Sequence, residues 1–308
     1  METQKPKIAL YARRSFGERL NATFDFIKEN WKLLLKYTTY AMLPLCLIQS
    51  VFMSRFANAS DLFGPEFGQS VDWDPATVAA VIGYLGYMLF AFIASLALYS
   101  IVYALMQVYA RRDERLVGIT FNDLRPLGTR NAGRIIVMAI IVTFLVIMAA
   151  IVMAMLAFMS RWTIVFSLIA FIALTIPLAL LPPIYLFEQV SIGEAIGKTY
   201  RLGFATWGST FLMLLVLGII GYALQFVLSL PYYAVIVAKT LLTGSYSEST
   251  DPSIGMRFLE YIFGTISLFG AYLASAMTII GTAYQYGHAT ELVDSVTVVD
   301  DIDNFDQL

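Results

Sequence analysis

"IIVMAIIVTFLVIMAAIVMAMLAFMS", residues 135–160, contains no Asp, Glu, Lys, Arg or His. A helix needs roughly 17–25 apolar residues to cross about 30 Å of hydrocarbon. A buried helix of a soluble protein seldom stays uncharged for so long. Five further stretches share the property: 37–54, 75–110, 162–187, 202–238 and 261–287, each of 18 residues or more. The fold class read from them is all-α, a polytopic membrane protein with six transmembrane helices. Residues 75–110 would extend about 54 Å as one helix at 1.5 Å per residue, so tilt, a kink or a projection beyond the lipid is expected there.

Composition agrees. The chain of 308 residues is 14% charged and 59% apolar, with a mean hydropathy of +0.72, whereas about a quarter of a soluble domain is charged. The net charge of −2 supplies no basic field for nucleic acid. Cys46 is the single cysteine and lies in an apolar run, which excludes a disulfide framework and a Cys-based metal site.

Sixteen of the 20 Lys and Arg fall before the first window, between the second and third, or between the fourth and fifth. Only Arg55, Arg161, Lys239 and Arg257 fall on the other side. Cations mark the cytoplasmic loops, so both termini are expected in the cytoplasm of a cell with a bacterial inner membrane. Tyr37, Tyr40, Trp73, Trp162 and Tyr261 lie where interfacial aromatics belong.

Residues 15–31 align without a gap on 191–207. Ser15, Gly17, Glu18, Thr23 and Trp31 meet Ser191, Gly193, Glu194, Thr199 and Trp207. A weaker third copy, "TFNDL", begins at Thr120. Ser-x-x-Glu, or Thr-x-x-Asp in the middle copy, is a capping box that starts a helix. Ser15 with Glu18, and Ser191 with Glu194, are the predicted capping residues. Apolar residues then recur at 16, 20, 24, 27 and 31, and at 192, 196, 200, 204 and 207. Such a segment is too polar to span and is expected to lie flat in the cytoplasmic interface. Pro126 follows the middle cap closely and predicts a short or broken helix there. Gln107, Gln189 and Gln285 close the even-numbered spans. The organisation read from this is one transmembrane domain over 1–290, with hairpin repeats at about 15–111, 120–189 and 191–289. The acidic tail 291–308 is expected to be disordered, or to dock a partner or the basic N-terminus.

The phrase "LFEQVSIGEAIGKTYRLGFATWGSTF", residues 186–211, places an acid at the close of one span before a capped amphipathic segment and the next span. In this it resembles a broad group of bacterial six-helix membrane proteins that includes the membrane domain of glycerophosphodiester phosphodiesterases. The resemblance implies architecture. It does not carry over that enzyme's activity, because none of the quoted residues belongs to a phosphodiesterase domain.

Other motifs reduce to simpler readings. The Gly-Lys-Thr at 197–199 is preceded by Gly193 at the wrong spacing for a phosphate loop and follows a membrane helix rather than a strand. His288 is the single histidine, so neither a His-based zinc site nor a Ser-His-Asp triad can be assembled. Asp72 and Asp74 in "DWDP" read as helix capping, and the Asn58–Ser60 sequon carries no weight. No ionisable side chain falls inside a window, which argues against proton-driven transport. Gly270, Ala274, Thr278 and Thr282 form a small-residue stripe for close helix packing.

The function expected from these features is non-catalytic: a multi-pass membrane protein that organises lipid or protein partners, without cofactor or metal. Lys28, Lys32, Lys198 and Arg201, with Trp31 and Trp207, are the expected contacts to anionic headgroups, and a protein partner or a second copy is the other candidate. The alternative is a transporter or channel for a neutral or amphipathic molecule. Prolines that free backbone carbonyls would build its broken-helix site, with Pro177, Pro182, Pro183 and Pro231 as the leading positions and Pro44 in the first span.

Overall fold

The computed structural model describes residues 6–56, 75–244 and 253–296. The expected cap at Asp72 and Asp74, Trp73, the sequon, the centre of the 243–253 loop and the tail from 297 lie outside the described residues. Eight helices follow in order among the described residues: α1 Phe16–Phe56, α2 Pro75–Arg111, α3 Phe121–Met159, α4 Arg161–Leu178, α5 Leu181–Glu188, α6 Ile192–Ala205, α7 Trp207–Gly244 and α8 Ile254–Val293. No strand occurs among the described residues.

Among the described residues five segments are long and apolar enough to cross a membrane: Thr77–Arg111, Phe121–Phe158, Trp162–Glu188, Trp207–Leu241 and Ile254–Val293. α1 is not among them. Thr38, Thr39, Tyr40, Gln49 and Ser50 dilute its apolar half. The long second window is one unbroken helix, α2.

The expected interfacial helices need correction in two copies of three. α1 runs from Phe16 to Phe56 without a break, because Leu33, Leu34 and Leu35 carry it straight past the capped segment. No separate flat helix precedes its apolar half. α3 is likewise continuous, with Pro126 inside it, so the short or broken helix expected there is not found. The bond that Pro126 forgoes would reach the carbonyl of Asn122, an exposed residue of the opening turn, where its loss is least costly. Only the copy at Ser191 makes a helix of its own. α6 stops where Thr206 leaves helical geometry, at φ −120° and ψ 26°, and α7 begins at the next residue.

The capped helices bury matching positions, and these are not the apolar stripe. In the capped part of α1 the buried residues include Arg19, Thr23, Phe26 and Asn30; in α6 and its cap the matching positions Ala195, Thr199, Leu202 and Thr206 are buried too. Counting from Thr120 places Leu124, Asn131 and Ile135 of α3 at the corresponding positions, and they too are buried. Phe16, Leu20, Phe24 and Ile27 are only partly buried, against Met213, Leu217 and Met277. Trp31 is 53% exposed. When the surroundings are as apolar as the side chains, polar residues gain more from facing inward, where they find partners.

Contacts divide the chain into two compact units. The first comprises Met1–Leu34, Tyr99–Gly218 and Met277–Leu308; the second comprises Leu35–Leu98 and Ile219–Ala276. In the first unit α3 and α4 form a hairpin turned at the single residue Ser160, which ends α3 and caps α4 by accepting from the Trp162 N–H. Its outer surface is apolar and open, with Ile140, Phe144, Met155 and Phe166 all more than 60% exposed. In the second unit the polar side chains pair internally. Tyr272 donates to Gln49 at 2.8 Å, Ser50 donates to the Tyr261 carbonyl at 3.0 Å, and Ser229 and Ser267 share a bond of 2.7 Å. Lys239 pairs with the buried Glu260 at 3.0 Å. Pro44 and Pro231 lie inside unbroken helices. The small-residue stripe of α8 is used within the chain: a side chain at Gly270 would strike Leu228, and Ala274 and Thr282 are buried.

Candidate functional site

The charged and polar side chains of the first unit form a continuous layer, which begins at the helix caps. The Ser15 N–H donates to Glu18 at 2.7 Å and the Glu18 N–H donates to the Ser15 hydroxyl at 3.4 Å. At Ser191 and Glu194 the same two bonds measure 3.0 and 3.3 Å. Asp123 accepts from both the N–H and the hydroxyl of Thr120. The N–H donors hold Glu18 and Glu194 below the usual carboxylate range.

Against the helix capped by Ser191, α6, lies the helix break at Ala179 and Leu180, between α4 and α5. Pro177 has no N–H, which leaves the carbonyl of Ala173 without its helical donor. The indole Nε1 of Trp207 supplies one, at 3.0 Å. Gly203 of α6 lies so close that a Cβ there would stand 2.5 Å from the Pro177 Cβ. Pro182 and Pro183 open α5, where a missing N–H costs little, and Pro183 is buried. Of the four expected broken-helix prolines, the structure gathers Pro177, Pro182 and Pro183 at one break and leaves Pro231 in the second unit. The break is a packed joint. Trp207, expected at the lipid interface, is half-buried in it.

The far end of α5 is clamped by α3. Arg134 donates to the carbonyls of Tyr185 and Val190, both at 2.7 Å, with its guanidinium 3.8 Å from the Tyr185 ring centre. Arg130 donates to Gln189, which takes a left-handed conformation at φ 58°. Buried Asn131 donates to Gln107 at 3.2 Å, and Gln107 donates to the Leu186 carbonyl at 2.9 Å.

Lys198 and Arg201 do not stand free toward headgroups. Lys198 bridges Glu188 at 2.8 Å and Asp294 at 3.1 Å, and Arg201 pairs with Asp294 at 2.9 Å. Burial alone would lower the Lys198 pKa, but the bonds to Glu188 and Asp294 outweigh it and the net shift is upward. Tyr286 adds a bond to Glu188 at 2.6 Å and shares one with Tyr11 at 3.0 Å. Lys28 and Lys32 remain exposed, Lys32 above the Trp31 ring.

The N-terminal segment binds across this layer. Lys7 donates to the Ala110 carbonyl, and the Arg14 N–H donates to Nδ1 of His288 at 3.1 Å. Arg13 reaches the Glu291 carbonyl and the Ser295 hydroxyl. Helix α8 thus continues past residue 290, and the first described residues of the acidic end dock on the basic N-terminus. Gly287 permits the crossing, because a Cβ there would lie 2.1 Å from the Leu10 carbonyl oxygen. A groove of 620 Å³ opens between α1 and the loop after α2, lined by Glu29, Asn30, Leu33 and residues 113–117. Within it Arg115 pairs with Glu29 at 2.8 Å.

The residue that pattern reading missed is Arg19. It is 4% exposed. Its guanidinium donates to the Ser15 carbonyl, the Ser209 hydroxyl and the side-chain carbonyl of Gln285, and Gln285 in turn donates to Thr210 at 2.9 Å. Burial lowers its pKa from the ordinary arginine value, yet a guanidinium stays charged at any physiological pH. The available signal was its place four residues before Thr23 and eleven before Asn30, a polar line along one helix face.

Among the described residues no group of three or more His, Cys, Asp and Glu is placed to hold a metal. No protein family, curated protein or solved structure with which the chain was compared matches it.

Proposed function

We propose that this chain is a non-catalytic multi-pass protein of a bacterial inner membrane that organises lipid or protein partners at the cytoplasmic face. The observation supporting this reading is the use made of its polar groups. In the first unit they cap helices, clamp the end of α5 and hold the terminal segments, while the apolar faces of α3 and α4 are turned outward. In this reading the apolar half of α1, residues 37–54, is the sixth span, and both termini are cytoplasmic by the distribution of Lys and Arg. Lys28, Lys32 and Trp31 are the exposed contacts to anionic lipid. The break between α4 and α5 is filled by Pro177, Gly203 and Trp207, which favours a packing joint over a transport pathway.

Topology reporters fused at the two termini and inserted at residues 65, 160 and 248 test the arrangement. Cytoplasmic signal at both termini and periplasmic signal at the three insertions is expected; a periplasmic terminus overturns it. Flotation of the purified protein with vesicles tests the lipid arm. Equal partition into phosphatidylglycerol and phosphatidylcholine vesicles, unchanged by Lys28→Gln with Lys32→Gln, removes it.

A further inference from the structure

Several cations of this chain have carboxylate partners, while the half-buried Arg134 is held by two carbonyls. Lys198 and Arg201 have Glu188 and Asp294, Arg115 has Glu29, and Lys239 has Glu260. Arg19 is more buried than any of these and forms no ion pair among the described residues. Its three acceptors, at Ser15, Ser209 and Gln285, are all neutral. The Phe16 ring lies 5.8 Å from the guanidinium carbon, and Nη2, the remaining nitrogen of the fork, donates to no acceptor among the described residues without being sealed from the surface. One edge of the guanidinium is therefore left for something else.

The surroundings deepen the imbalance. Arg13 and Arg14 belong to the same segment and bond to carbonyls and a hydroxyl through their side chains; Arg14 also lies over the Tyr284 ring and within electrostatic reach of Glu18. Ser209 sits in the first turn of α7, the positive end of a 38-residue helix. Glu18, the acid nearest in sequence, is exposed and bound to the Ser15 cap. A buried guanidinium held by neutral dipoles, beside two more arginines and a helix N-terminus, lacks the counter-charge that buried ions require. The planar edge of an arginine matches the oxygens of a phosphate.

From this we infer that Arg19 is the centre of an oxyanion site for phosphate, with Ser209 and Arg14 beside it. On the reading proposed above, which this inference deepens, the site lies at the inner headgroup layer and its ligand is the phosphate of an anionic lipid.

The full chain in detergent is titrated with phosphatidylglycerol, with phosphate-free diacylglycerol and with inorganic phosphate, and bound species are counted by native mass spectrometry. Phosphatidylglycerol is expected to bind and diacylglycerol not to; Arg19→Gln weakens phosphatidylglycerol binding by about tenfold or more, as loss of a charge-assisted pair does. Lys28→Gln with Lys32→Gln weakens it far less. Inorganic phosphate that binds alone, and is lost in Arg19→Gln, keeps the site but makes free phosphate its ligand. If the native chain takes up neither, this site and the lipid arm of the proposed function fail together. If the native chain binds phosphatidylglycerol and Arg19→Gln binds it equally, the site alone is overturned. Should Arg19→Gln not fold, Ser209→Ala decides: a loss of about threefold or more supports the site, and unchanged affinity refutes it.

Discussion

The carbonyl that Pro177 leaves without a helical donor, that of Ala173, is bonded by Trp207 at 3.0 Å, 34 residues further along the chain. A backbone defect in α4 is thereby answered by a side chain at the start of α7. The same proline ring is the surface on which Gly203 of α6 rests. One residue joins three helices.

Replacing Trp207 with Phe keeps a ring but strands the Ala173 carbonyl, at a cost of about 1–3 kcal/mol. In a Pro177→Ala background the backbone N–H returns to that carbonyl and the same replacement costs less. A double-mutant cycle on unfolding in detergent is expected to show coupling of about 1 kcal/mol. Strict additivity of the two substitutions refutes the joint.

Gly203→Ala puts a methyl 2.5 Å from the Pro177 Cβ and 2.8 Å from its Cα, which is backbone and cannot swing aside. Destabilisation of about 1–3 kcal/mol follows. Gly197→Ala, on the same helix with nothing within 4 Å, serves as the contrast. It is expected to raise stability by about 0.5–1 kcal/mol, and melting of the two variants side by side reads the difference.

Gly287→Ala meets the Leu10 carbonyl oxygen at 2.1 Å. The helix cannot yield there, so the N-terminal segment is displaced. Limited proteolysis is expected to cut residues 7–14 markedly faster in this variant than in the native chain, while α8 stays protected. Equal cutting rates contradict the crossing.

Acid and alkali act on different parts of the layer. Glu18 and Glu194 have lowered pKa values when folded, so their contribution is complete above the unfolded value and is lost as pH falls through the depressed one. Below about pH 4.5 the native chain therefore loses stability more steeply than Glu18→Gln with Glu194→Gln. Lys198 has a raised pKa, so its contribution is complete below the ordinary value of 10.5 and is lost as pH rises through the higher folded one. Melting temperature against pH for Lys198→Gln should be flatter than native only on the alkaline side.

What could be read along the chain was whatever depends on near neighbours. Absence of charge over 135–160 and 202–238 marks long apolar helices wherever they end up. Ser15 with Glu18, and Ser191 with Glu194, mark helix starts, because a capping box closes within four residues. Pro126 misled. Its effect depends on where the carbonyl it frees lies, and Asn122 is an exposed residue of the opening turn. The apolar stripe through Phe16, Leu20 and Trp31 misled in a second way, since in apolar surroundings the buried face is the one whose polar groups can be satisfied.

Length, hydropathy and caps are local, and the sequence by itself determined that the chain is helical, the capped starts at Ser15, Thr120 and Ser191, and the apolar character of five long segments. Tertiary structure decided which face of α1 turned inward, that Lys198 and Arg201 bind Glu188 and Asp294, and that Trp207 serves Pro177. These are contacts between residues far apart in the chain, set by which donors and acceptors find one another once the helices have packed. Neither periodicity nor composition carries that information.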